Sequence, residues 1–238
     1  MIFLKSGYII NTTIIILFTV MLSMIFLLEG GDEVCQSFGA LRRETVMIDA
    51  GHGGEDGGAE GSEGVLEKHI NLAVSEKLEH ILNLCGVNTE MIRRNDEALL
   101  SGKGDSVRER KVADIKKRVE IIRNTPRVTL ISVHQNSFPE ENCKGAQVFF
   151  SKSNENSKIL AKSIQTTLKA GIDETNRRVE KQNDKSIYIL ENVTCPAVLV
   201  ECGFLTNHDE AKLLKKDTYQ TKLAMCMAAG FLRYQNEK

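Results

Sequence analysis

The chain has 238 residues, with 42% hydrophobic and 26% charged content and a formal net charge of −1. That length suits one domain with a substantial core, and a charge so near neutrality offers no basic field for nucleic acid. Trp is absent and aromatics reach only 5%, which argues against a sugar-binding surface built on indole stacking.

Tyr8 to Leu28 carries no charge and is dense in Ile, Leu, Phe, Met and Val. Such a run is long enough to cross a hydrocarbon core of about 30 Å as a helix. Lys5 and the terminal amine precede it, while Glu29, Asp32 and Glu33 follow; this asymmetry keeps the N-terminus inside and exports the rest. Residues 1–29 are expected to be a signal or membrane-anchor segment. An uncleaved anchor is favoured over a cleaved leader, because no A-x-A-like site follows the apolar run. Residues 30–44 read as a short tether, and residues 45–238 as a single folded domain.

Val46 to Ile48 is a short apolar strand that stops at Asp49 and opens into a loop crowded with Gly51, Gly53, Gly54, Gly57 and Gly58 around His52. No Gly-Lys-Ser/Thr follows, so the loop is a poor phosphate cradle. It remains either a plain flexible turn or a metal-binding loop whose other ligands lie elsewhere. Glu67 to Cys85 has helical spacing of apolar residues and ends before Gly86. Asn88 to Ile92 predicts a strand, Arg93 to Ser106 a polar surface loop, and Val107 to Asn124 an amphipathic helix. The basic face of that helix is most simply solvated; the sharper reading is contact with an anionic wall polymer.

Val128 to Val133 is the best buried strand in the chain and ends in His134-Gln135-Asn136-Ser137. Gln147 to Phe150 predicts another strand, Glu155 to Ala170 a helix, and Ile187 to Leu190 a further short strand. Ala197 to Val200 is a buried strand ending in Glu201. Helical segments begin at His208 and run over Thr218 to Tyr234. Strands alternating with helices predict an α/β domain with a mostly parallel central sheet flanked by helices and right-handed crossovers. The six cysteines are scattered, with no C-x-x-C pair, and are expected to be mostly free thiols.

Three strands therefore lead to His52, His134 and Glu201, and the C-terminal edges of parallel strands line one crevice. Glu67, at the start of the first helix, lies within reach of that edge. Two imidazoles and a carboxylate can hold Zn²⁺ with a position left for water, and a second carboxylate can accept a proton. On this reading His52, Glu67 and His134 are ligands and Glu201 is the base. The duller readings are a loop histidine, a strand-end histidine bonded to backbone, and a helix N-terminal glutamate favoured by the macrodipole. Glu201 resists such a reading, because a carboxylate after an apolar strand is costly unless paired. His69, His80 and His208 sit in or beside helices and are expected at the surface.

Ile-Asp-Ala-Gly-His-Gly-Gly (48–54), Leu-Glu-Lys-His-Ile-Asn-Leu-Ala (66–73), Ser-Val-His-Gln-Asn-Ser (132–137) and Pro-Ala-Val-Leu-Val-Glu-Cys-Gly-Phe-Leu-Thr-Asn (196–207) resemble the four signature blocks of the zinc-dependent N-acetylmuramoyl-L-alanine amidases, in the family's order. Arg93 with Asp96, and Arg108-Glu109-Arg110 before Asp114, resemble its secondary blocks. The resemblance implies zinc at His52, Glu67 and His134, catalysis by Glu201, substrate contacts at Asn136 and Arg93, and peptidoglycan as substrate. Ala50 stands where the family usually has Pro, and Gln135 where it has a small residue; neither removes a ligand. A narrower resemblance is to the spore-cortex, germination-type amidases, which implies an extracytoplasmic role around the developing spore. There the stem peptide is stripped so that muramic δ-lactam can form in concert with a peptidoglycan deacetylase. A general amidase of vegetative wall growth, a zinc hydrolase cutting another amide and a catalytically silent wall-binding protein are the rivals.

Overall fold

Apolar, β-branched residues fill the central strands so completely that both faces of the sheet have to be covered by helices. The computed structural model describes residues 44–61, 64–100 and 106–238, so the expected anchor and tether lie outside the described residues. Among the described residues no helix is long and apolar enough to cross a membrane.

The strands are β1 (Thr45–Ala50), β2 (Asn88–Met91), β3 (Val128–Asn136), β4 (Gln147–Phe150), β5 (Lys181–Gln182) and β6 (Ala197–Phe204). The helices are α1 (Glu67–Leu84), α2 (Val107–Asn124), α3 (Asn156–Gly171), α4 (Tyr188–Glu191), α5 (His208–Leu214) and α6 (Asp217–Glu237). The strands form one six-stranded sheet in the order β2-β1-β3-β6-β4-β5. Every neighbouring pair is parallel except β4 with β6, which run antiparallel.

Alternation along the strands divides the interior in two. Val46, Ile48, Ile131, Val133, Val198 and Val200 face a large core shared with Val74 and Leu78 of α1, Leu160 and Ile164 of α3, and Met227 and Phe231 of α6. Met47, Leu130, Ala197 and Leu199 face a smaller core with Val119 and Ile122 of α2 and Ile189 and Leu190 of α4. Burying side chains of this size stabilises by roughly 1.5–3 kcal/mol each relative to exposure. The α2 helix starts at a capping box, in which the Ser106 hydroxyl accepts from the Glu109 amide and the Glu109 carboxylate accepts from the Ser106 amide.

Two segments depart from expectation. Ile187 to Leu190, expected as a strand, is where the one-turn helix α4 forms. Asn183 accepts from the Ile187 amide at 3.1 Å, starting a turn that buries Ile189 and Leu190 in the smaller core; a four-residue apolar run has no period to distinguish the two outcomes. The outer strand is instead the two-residue β5, whose polar sequence carries no strand signal. His69, His80 and His208 are exposed, and Cys85, Cys143, Cys195, Cys202 and Cys226 are free thiols.

Candidate active site at the strand ends

The loop after β1 is shaped by two close approaches. A Cβ at Gly51 would lie 2.2 Å from the His134 ring, and one at Gly58 would lie 2.5 Å from a Glu67 carboxylate oxygen. Between them His52 adopts φ of 63°, a left-handed conformation that costs a non-glycine residue of order 1 kcal/mol and that the surroundings must enforce.

Enforcement comes from two buried guanidinium groups. Arg93, 4% exposed, donates to the carbonyls of Ala50 at 2.8 Å, Gly51 at 3.0 Å, Lys68 at 2.9 Å and Asn95 at 3.0 Å. Arg118 of α2, 2% exposed, donates to the Ala50 carbonyl at 2.9 Å, the His52 carbonyl at 2.7 Å, Asp114 at 2.7 Å and Asp49 at 2.5 Å. Asp49 also accepts from the Ser132 hydroxyl at 2.7 Å. Burial raises the Asp49 carboxyl pKa, but the Arg118 charge, joined by His134 and by the hydrogen bonds from Ser132 and Arg118, outweighs it and holds the group below its ordinary value. Arg93 thus braces the loop, with its donors turned to backbone carbonyls. Arg118 is no part of a solvated basic face: it shares a helical stripe with Ile115, Val119 and Ile122, and that position was the available signal.

Glu67, His52 and His134 converge, with one ligand atom from each lying within 4.8 Å of the others. The Glu67 carboxylate contacts His52 Nε2 at 3.2 Å and His134 Nδ1 at 3.0 Å. It also accepts from the Ala59 amide at 2.9 Å, the Gln135 amide at 3.0 Å and Asn71 Nδ2 at 3.2 Å. Burial raises the Glu67 pKa, but hydrogen bonds with the two imidazoles hold it well below the usual carboxylate range. Asp56, which the sequence reading passed over, lies 2.8 Å from His52 Nδ1 and is held by Lys111 at 2.7 Å and the Gly58 amide at 3.2 Å. Burial lowers the His52 pKa, yet its bonds to Asp56 and Glu67 prevail and lift it to about 9. Flanking carboxylates thus favour positive charge at this point, which is what a cation site requires. Two imidazoles and one carboxylate match the donor set of catalytic zinc, and Asp56 gives His52 the carboxylate partner common to such ligands.

Glu201 lies on β6 directly opposite His134 of β3. Its Oε2 is buried with no hydrogen-bond partner among the described residues. Burial, reinforced by the Glu67 charge and partly offset by His134 and His52, pushes its pKa up to about 7. A carboxylate so poised can gain or lose a proton near neutrality. Asn136 ends β3; its Oδ1 accepts from the Ser137 amide at 2.8 Å, and its carbonyl accepts from the Leu205 amide at 2.8 Å.

The histidine–glutamate–histidine cluster at the strand ends of a mostly parallel α/β sheet lies within residues 46–233, which match the N-acetylmuramoyl-L-alanine amidase family. The chain belongs to that family. Among curated relatives, the germination-specific N-acetylmuramoyl-L-alanine amidase of Bacillus subtilis is 38% identical over 83% of this chain and 82% of its own length. Among solved structures, the CwlD amidase of Clostridioides difficile, in complex with the GerS lipoprotein, has a TM-score of 0.79 at 38% identity, covering 82% of this chain and all of that one. An N-acetylmuramoyl-L-alanine amidase of Clostridium difficile 630 has a TM-score of 0.71 at 28% identity, covering 82% and 98%.

Proposed function

We propose that this chain hydrolyses the amide joining the lactyl group of N-acetylmuramic acid to L-alanine in peptidoglycan, with His52, Glu67 and His134 holding zinc and Glu201 as the catalytic base. The observation that carries this is the juxtaposition of the three-residue cluster with an unpartnered buried carboxylate oxygen on the adjoining strand. Zinc held by His52, Glu67 and His134 would supply Lewis acidity for the scissile carbonyl and would lower the pKa of water there towards about 7. Glu201 takes the water's proton and returns it to the departing L-alanine amine. Asp56 holds the His52 ring, while Arg93 and Arg118 fix the loop that carries it. Asn136 stands at the rim as a substrate contact.

Similarity to the germination-specific relative and to CwlD supports a setting in spore-cortex peptidoglycan, outside the cytoplasm. We extend the reading to an anchor in residues 1–29, a tether in 30–44, and a deacetylase acting on the muramic acid that this reaction unmasks. A lipoprotein partner is a parallel proposal, supported by the GerS complex of the structural relative.

Digestion of peptidoglycan by the protein, with zinc and with chelator, read by mass spectrometry, tests the activity. The expected result is chelator-sensitive release of intact stem peptides beginning at L-alanine. Shorter fragments would replace this reading with a peptidase, and bound zinc without release would replace it with a silent binding protein.

A further inference from the structure

The antiparallel placement of β4 against β6 brings Gln147 directly opposite Glu201. Since Glu201 is itself opposite His134, the residues His134, Glu201 and Gln147 form one row across three adjacent strands, with side chains on the same face. At about 4.8 Å between strands, the row spans roughly 10 Å. Arg178 stands at its far end, donating from Nη1 to Gln147 Oε1 at 3.2 Å and from Nε to the Lys144 carbonyl at 2.9 Å. Its guanidinium also lies 4.6 Å from the centroid of the Phe204 ring, a stacking contact that fixes its plane.

This arginine is held in place without being neutralised. No carboxylate lies within salt-bridge distance of it among the described residues. The carboxylate of Glu210 is nearby but is occupied by the backbone amides of Phe204 at 2.8 Å and Gly145 at 2.9 Å. Beside Arg178 is a shallow hollow that Lys144 and Arg177 also line. The one acid there, Asp173, is turned to the amide and hydroxyl of Thr175 at 2.9 and 2.6 Å. A chain of net charge −1 therefore concentrates three cations beside its candidate active site, one of them rigid and planar. Such a guanidinium fits a carboxylate better than a sugar hydroxyl.

We propose that Arg178, supported by Lys144 and Arg177, is a carboxylate-binding subsite that selects the stem peptide on the leaving-group side of the scissile amide. The proposal rests on the amidase reading. With the reacting bond between His134 and Glu201, an extended peptide advancing about 3.4 Å per residue places the stem carboxylate nearest L-alanine within reach of Gln147 and Arg178. The glycan strand then leaves in the opposite direction, over the loop that follows β1.

Two synthetic muramoyl peptides, identical except that this stem carboxylate is free in one and amidated in the other, test the subsite with the zinc-loaded protein. The wild type is expected to favour the free acid by about tenfold to a hundredfold in kcat/KM, the size of a hydrogen-bonded charge contact, with the difference carried mainly by KM. Arg178→Gln should abolish the preference, and Arg178→Lys should restore part of it. The double substitution Lys144→Gln with Arg177→Gln, at exposed positions that leave the Phe204 contact intact, should weaken the preference several-fold. Equal cleavage of both compounds by the wild type, or a preference that survives Arg178→Gln, would overturn the subsite alone. Cleavage of neither would overturn the amidase reading and the subsite with it.

Discussion

The two halves of the strand-end crevice differ in how fully their polar atoms are used. On the β1–β3 side, the Glu67 carboxylate meets two imidazoles, two backbone amides and an asparagine, and each carbonyl from Ala50 to His52 accepts from a buried guanidinium. On the β6–β4 side, among the described residues, one oxygen of Glu201 has no hydrogen-bond partner and no carboxylate forms an ion pair with Arg178. The first half is over-determined so that a strained histidine stays where a cation needs it. The second keeps its reactive groups for water and substrate, at the desolvation cost visible in the raised Glu201 pKa.

Substitutions on the two sides should therefore fail differently. The largest effects are expected at the strand ends themselves, where Glu201→Gln should lower kcat by about 10²–10⁴-fold while elemental analysis still finds zinc. His134→Ala should abolish turnover through loss of the metal itself, and retained stoichiometric zinc would remove it from the ligand set.

Next comes the brace beneath the loop. Arg118→Met leaves Asp49 buried without its partner and should cost about 3–5 kcal/mol in urea denaturation. Because the folded Asp49 pKa lies below its ordinary value of 3.8, the stabilisation is fully present above that value and is lost as pH falls through the folded pKa. The gap in Tm between wild type and Asp49→Asn should accordingly narrow on acidification. A gap that stays constant down to the acid transition would sink the ion-pair account.

Asp56→Asn should be milder, weakening zinc affinity about 10–100-fold in competition with a chelator while the fold survives. Lys111→Met, which removes only a half-exposed partner of Asp56, should shift stability by at most about 1 kcal/mol. A loss of zinc as large as that in Asp56→Asn would show Lys111 to be more than a tether.

The groups at the strand ends, in both halves, were the more legible in sequence, for a physical reason. His52, His134 and Glu201 each follow a run of buried β-branched residues, and a polar group in such a place needs a function or a partner. Glu67 was legible from its position at the first turn of a periodic helix. The braces were harder to find. Arg118 lies among six other Lys and Arg residues of α2, and only its place on the apolar stripe distinguishes it. Asp56 sits in a glycine-rich loop without periodicity. Gln147 and Arg178 could not be placed, because their importance depends on β4 running against β6, and no local pattern encodes the direction of a four-residue strand. Ile187 to Leu190 failed for the related reason that short apolar runs suit either a strand or a helical turn.

The reversed strand has a consequence for how such a crevice can change. Because β4 begins at the edge where β3 finishes, residues 137–146 pass from one to the other without traversing the sheet, skirting the end of β6. The first part, residues 137–142, is tied to its surroundings lightly, by the Phe138 amide to Thr206 at 3.2 Å and the Asn207 side chain to the Glu141 carbonyl at 2.8 Å, and Phe138 is half-exposed. Residues inserted there would add wall to the groove beside Glu201 while every strand kept its register and every candidate zinc ligand its place. The segment is where lineages, or engineers, can remodel what the crevice admits without rebuilding what it does.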